Sequence, residues 1–265
     1  MLSEPSIAVL ESRALVAVSG PDWRSFLQGL LTQDVETLAP GEVRFAAMLT
    51  PQGRLLYDLF LVGREDGCWL DCRAEARASL IQRLTIYRLR AKAEIAADET
   101  PVLAAWGGVP AGDWPTDPRL AALGCRGYGV TAKANTDERA YEAHRLALGV
   151  PGPADWGADS TYPLEADFDL LGGVDFKKGC FVGQETTSRM KRRGTIKSRM
   201  LPITFAGPAP PAGTEVLAGT LRAGEALSGA DGRAMALLRL DRIEGAALTV
   251  DGRPCCVDRP SWLTV

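Results

Sequence analysis

Lys177-Lys178-Gly179-Cys180-Phe181-Val182-Gly183-Gln184-Glu185, with Arg189 four residues on, carries more information than any other stretch of this 265-residue chain. Two lysines, two glycines, a thiol, an amide and a carboxylate fall within nine positions. Glycine tolerates positive φ at little cost, so Gly179 and Gly183 mark backbone that turns sharply or lies close to something else. From Gly183 the run GQETTSRMKRR reads as a helix start, with Gln184 and Glu185 in the first turn and cations further along. That order of charge suits the helix dipole. The bland reading is a tight turn into an amphipathic helix. The sharper one is a thiol held near a helix N-terminus with Lys177 and Lys178 close by, conditions that favour thiolate.

Around this stretch the chain reads as an ordinary globular sequence, 46% apolar and 24% charged with a net charge of −3. Disordered and fibrous classes are excluded, and any site for a polyanion must be a local patch. No run approaches the roughly 18 uninterrupted apolar residues that a membrane-spanning helix needs, and no basic region precedes an apolar core near Met1, so no secretory signal is expected. Cys68, Cys72, Cys125, Cys180, Cys255 and Cys256 make no disulfide framework, and with no CxxC pair and one histidine a structural zinc site is not expected. A reduced, cytoplasmic location fits that cysteine usage. His144 sits in the helical run DERAYEAHRLALG and reads as a surface or packing residue rather than a general base. Chemistry is therefore left to carboxylates, Cys180, basic side chains or a bound cofactor.

Ala14–Val18 reads as a strand, broken by Ser19-Gly20-Pro21-Asp22, with a helix after it in which Trp23, Phe26, Leu27, Leu30 and Leu31 recur at helical spacing and Asp22 or Ser19 is available as cap. Phe45–Leu49 and Leu55–Val62 flank the turn Thr50-Pro51-Gln52-Gly53-Arg54 as a hairpin. Cys68–Cys72 continues the sheet, an amphipathic helix covers about 74 to 90, and a strand follows at 92 to 96. After a Gly/Pro-rich middle (101 to 135) a helix spans Asp137–Leu148. Beyond Arg199 short apolar runs alternate with turn signals, which suggests a small β-barrel. These features divide the chain into residues 1–198 and a module at 199–265. Arg189, Lys191, Arg192, Arg193, Lys197 and Arg199 place six cations in eleven residues, either a solvated helix end or a landing strip for a polyanion. The strip lacks interleaved aromatics, which ranks nucleic acid below an acidic protein or a polyglutamate tail. Asp58, in mid-strand, is either solvent-facing or a buried acceptor for a ligand's amino groups.

KKGCFVGQE…R resembles the signature of the YgfZ-type folate-binding protein family, which includes an iron–sulfur assembly factor branch and is related to the aminomethyltransferase (T-protein) of glycine cleavage. Supporting stretches run from Ala17 to Thr32, from Leu49 to Asp58, from Tyr87 to Arg90, from Tyr141 to Pro151 and from Pro163 to Glu165. The resemblance implies an α+β ring of three subdomains around a central folate pocket, the last a small C-terminal β-barrel. It further implies tetrahydrofolate as cofactor, with Asp58, Tyr141, Glu165, Lys178, Gln184, Glu185 and Arg189 as binding residues and Cys180 and Asp58 as the groups that carry chemistry. Partners implied are iron–sulfur assembly proteins or client iron–sulfur enzymes, with neither nucleic acid nor membrane. The T-protein's Arg-Leu-Glu-Ala-Gly stretch reads Arg145-Leu146-Ala147-Leu148-Gly149 here, which removes a carboxylate for the pterin. The expectation is an accessory factor for iron–sulfur maturation rather than a conventional enzyme; the alternative is a folate-dependent one-carbon transferase.

Overall fold

A computed structural model describes residues 4–194 and 196–264. The Thr50–Arg54 turn joins β3 (Val43–Leu49) to β4 (Leu55–Arg64) as an antiparallel hairpin, and β5 (Gly67–Arg73) returns beside β4. β2 (Arg13–Ser19) pairs with β5, and β6 (Glu94–Asp98) closes a five-stranded sheet of order β3-β4-β5-β2-β6. Strand residues alternate between faces. Ala46, Met48, Leu59 and Leu61 therefore enter one core with Trp23, Phe26, Leu27, Leu80 and Leu84. Phe45, Ala47, Leu49, Leu55 and Phe60 enter a second core on the opposite face, against Phe168, Leu171 and Phe181.

The expected helix from Trp23 stops early: α1 covers Trp23–Gln28. Leu30 and Leu31 still fill the same core from a turn, where Leu31 bridges to Met48. Asp22 makes no side-chain cap. Its carboxylate accepts from the Lys92 backbone N–H at 2.8 Å and ties the helix start to the approach to β6. α2 spans Arg77–Arg88 after a 3-10 turn at Ala74–Ala76, shorter than the expected 74 to 90. α3 (Glu138–Ala147) is capped by Asp137, which accepts from the Ala140 N–H.

The Gly/Pro-rich middle contributes β7 (Val102–Trp106) and β8 (Cys125–Tyr128), and these form a three-stranded sheet with β1 (Ser6–Val9). After α4 (Gln184–Arg193) come β9 (Ser198–Phe205), β10 (Glu215–Ala218), β11 (Leu221–Ala230), β12 (Arg233–Arg239), a short α5 (Leu240–Ile243), β13 (Leu248–Val250) and β14 (Arg253–Val257). The six strands close into the expected barrel, β10-β11-β12-β9-β14-β13. In β14 the adjacent cysteines point to opposite sides, Cys255 into the barrel core and Cys256 outward. No helix among the described residues is long and apolar enough to cross a membrane.

Candidate functional site

Strand alternation places Asp58 and Phe60 on the same face of β4, and register sets Asp71 opposite Phe60. Arg13, at the start of β2, reaches over this face. Its Nη1 donates to Asp58 Oδ2 at 2.6 Å, and its Nε to Asp71 Oδ1 at 2.6 Å. From β8, Arg126 donates to Asp71 Oδ2 at 2.8 Å and Tyr128 donates its hydroxyl to the same oxygen at 2.8 Å. Asp117 accepts two bonds from the Arg119 guanidinium, at 3.0 and 2.8 Å, and Arg119 also donates to the Tyr141 hydroxyl at 3.0 Å. The Phe60 ring lies beneath all three guanidinium groups, nearest Arg126 at 3.7 Å. Three arginines thus balance three aspartates in a buried cluster that joins the two sheets and α3. Burial alone would raise the Asp71 carboxyl; Arg13 and Arg126 overcome it and hold that group below its ordinary value. Asp117 is held low in the same way by Arg119.

Asp58 is the one acid of this cluster that also faces open space. It lines a cavity of about 420 Å³ with Tyr57, Arg73, Ser79, Arg83 and Trp156. Arg13 engages one carboxylate oxygen, Oδ2, which fixes the orientation of the group at the cavity wall. Tyr141, implied as a binding residue, is buried: its hydroxyl is held by Arg119 and Asp117, and its ring packs edge-on against Trp106 at 5.5 Å. Trp156, Arg73 and Arg83 were not expected. Nothing in their local sequence distinguishes them, because a loop, a strand end and a helix bring them together.

The motif segment lies elsewhere. Lys178 Nζ donates to the carbonyl oxygens of Gln28, Leu31 and Gln33 at 2.7 to 2.8 Å, which satisfies acceptors past the end of α1. Desolvation pushes this ammonium down to about 8. Phe181 is buried, and the Val182 N–H donates to the Gly29 carbonyl. Between these anchors Cys180 is exposed, unlike Cys68 and Cys72, whose thiols burial pushes up to about 12. Gly183 has φ +83° at the start of α4, and a Cβ there would sit 2.6 Å from the Thr50 carbonyl oxygen and 3.0 Å from Gly53 Cα. The hairpin turn and the motif therefore meet backbone to backbone.

Gln184, Glu185 and Arg189 share a surface groove on α4 with Arg192 and Arg193. None of them lines the Asp58 cavity. Glu165 caps its own turn, its carboxylate accepting from the Tyr162 N–H at 3.0 Å. Two of the six clustered cations are consumed internally. Arg199 is buried on Asp167 and Asp169, and Lys191 binds Asp169 at 2.8 Å.

Asp167 sits at positive φ, and its Oδ2 has no hydrogen-bond partner among the described residues. Burial pushes its carboxyl up to about 7, because Arg199 is shared with Asp169. A raised folded-state value means that the folded protein holds the proton more tightly than the unfolded chain does. Stability should therefore fall as pH rises from the ordinary aspartate value of 3.8 through about 7. Thermal melts from pH 5 to 8 should show a smaller loss in Asp167→Asn than in the native chain. Parallel pH profiles would mean that Asp167 does not titrate in this window.

A solved structure of the glycine cleavage system aminomethyltransferase T from Bartonella henselae superposes with a TM-score of 0.77 at 18% identity, over 99% of this chain and 87% of that one. The fold is thus of the aminomethyltransferase type. The family model of the CAF17 C-terminal beta-barrel domain matches residues 197–265. Human iron–sulfur cluster assembly factor IBA57, mitochondrial, is 30% identical over 89% of this chain and 78% of its own length. The mouse protein of that name matches to the same extent. The IBA57 homologue of Mycosarcoma maydis is 35% identical over 78% of this chain. This chain belongs to the IBA57 family of iron–sulfur cluster assembly factors. It spans between half and three-fifths of the length of the IBA57 homologues of Mycosarcoma maydis, Neurospora crassa and Phaeosphaeria nodorum. The cytoplasmic expectation is overturned: these relatives are named mitochondrial proteins, which points to the mitochondrion rather than the cytoplasm. A reduced thiol set, on which that expectation rested, does not separate the two compartments.

Proposed function

We propose that the protein supports the maturation of iron–sulfur enzymes, binding a tetrahydrofolate-type ligand beside Asp58 and presenting the Cys180 thiol to an assembly partner. Family membership supports the maturation role. The folate part, which follows the resemblance to YgfZ-type folate-binding proteins, is carried by one observation: a fixed carboxylate at the wall of a cavity that also has aromatic and cationic sides. Its volume, about 420 Å³, lies within the range of small-ligand sites. Asp58 would accept from the pterin's amino groups, Trp156 and Tyr57 would flank the flat ring, and Arg73 and Arg83 would meet the glutamate carboxylates. When bound, the reduced pterin supplies a carrier for one-carbon units. Asp58 is engaged by Arg13, Glu75 at the same cavity is paired with Arg73, and position 147 is alanine where the T-protein stretch carries its second glutamate. That disfavours the one-carbon transferase alternative.

Calorimetric titration with tetrahydrofolate tests the ligand, using the native chain beside Asp58→Asn and Arg73→Ala. Saturable binding that both variants weaken is the expected result. No heat at millimolar ligand would refute folate binding. Complementation of cells lacking the protein tests the thiol. Cys180→Ala should fold normally and fail to rescue, and full rescue would remove the thiol from the mechanism.

A further inference from the structure

We infer that the outward face of α4 is a docking surface for an acidic protein partner; the partner's role in assembly rests on the function proposed above, the surface itself does not. Thr187 is the residue that α4 buries, and Lys191, one turn further on the same side, is tied to Asp169. Residues three and four apart share a helix face, so Arg189, Arg192 and Arg193 fall together on the side away from Thr187. All three are exposed, and among the described residues none takes part in an ion pair. The chain as a whole carries a net charge of −3, so this concentration of unpaired guanidinium groups is a local feature.

The helix is also held firmly. Its N-terminal end rests on the Gly53 turn through Gly183, and its flank is clamped by the Lys191–Asp169 pair. The three arginines therefore project from a fixed support, beside a groove of about 500 Å³. Guanidinium groups pair with carboxylates in bidentate fashion. Gln184 and Glu185 open the same groove and mix donors and acceptors with the cations. A protein surface with acidic and polar groups matches that mixture; a uniform phosphate backbone does not. The helix QETTSRMKRR also offers no aromatic platform for bases. The motif loop with exposed Cys180 leads directly into the N-terminal end of this helix.

The test uses the full chain and a capped, fluorescent decaglutamate peptide as probe, read by anisotropy at low and physiological salt. Replacing Arg189, Arg192 and Arg193 together by glutamine should weaken binding about tenfold or more, since exposed ion pairs each contribute a modest amount. A control with the same charge change at the exposed residues Arg90, Lys133 and Arg139, outside the groove, should bind as the native chain does. Circular dichroism confirms that both variants fold. Equal loss in the two triple variants would overturn the proposal, as would no binding by the native chain. Tighter binding of a ten-nucleotide RNA or of phosphatidylserine vesicles than of the peptide would overturn it in favour of those partners. Tetrahydrofolate binding is measured on the same variants and should not change, so failure of the docking surface and failure of the folate reading are distinguishable.

Discussion

Asp71→Asn should destabilise the protein by about 3–5 kcal/mol, the scale expected when one partner of a buried ion pair is removed. Asp71 accepts from Arg13, Arg126 and Tyr128, and the side chains of Asp71 and Arg126 are almost completely buried. Asparagine keeps the shape but removes the charge that compensates two desolvated guanidinium groups. Its amide nitrogen also brings a donor against donors, so at least one bond is lost outright. Domains are stable by roughly 5–15 kcal/mol, so this change removes a large share of the total. Urea unfolding of the two proteins checks it through the shift in midpoint at constant slope. A loss under about 1 kcal/mol, typical of exposed pairs, would mean that water reaches the cluster.

The second large effect is expected at Gly183. An alanine there must adopt φ near +83° and places its Cβ 2.6 Å from the Thr50 carbonyl oxygen. Left-handed backbone costs a residue with a Cβ about 1–2 kcal/mol. Forcing an atom into a packed contact costs about 1–3 kcal/mol more. Neither neighbour can yield easily, since both Thr50 O and Gly53 Cα are backbone atoms. Gly179→Ala provides the comparison within the same motif. A Cβ at Gly179 meets nothing within 4 Å and the residue lacks a positive φ, so its effect should stay within about 0.5 kcal/mol. Equal stability of the two variants would show that α4 does not depend on this contact.

Much of the fold could be read in the chain because its signals are local. The Thr50–Arg54 turn between two apolar runs gave the β3–β4 hairpin, the run DERAYEAHRLALG gave α3, and regularly spaced turns marked the barrel. Residues whose partners lie far away in sequence were not legible. Arg13 meets Asp58 45 positions on, and Asp71 meets Arg126 after 55. Periodicity carries no trace of such pairs. Lys178 was expected at a ligand and instead holds three backbone carbonyls, a duty fixed by where α1 ends rather than by the motif. Tyr141, a binding residue by the resemblance, has its hydroxyl held by Arg119 and Asp117, partners 22 and 24 positions away in sequence. Asp58, a polar group in mid-strand, has few places to go other than a cavity or a partner, and here it has both.

Lys178 and Val182 are both fastened to the turn after α1, and Phe181 is buried in the second core. Cys180 is thus exposed without being loose. A thiol on a free loop must surrender conformational freedom, on the order of 1–2 kcal/mol per ordered residue, each time it engages a partner. Here that freedom has been surrendered during folding, so the sulfur meets its partner already preorganised. Its bearing is then a property of α1 as much as of the motif. Substitutions around Gln28 to Gln33, remote from any thiol chemistry, would re-aim it.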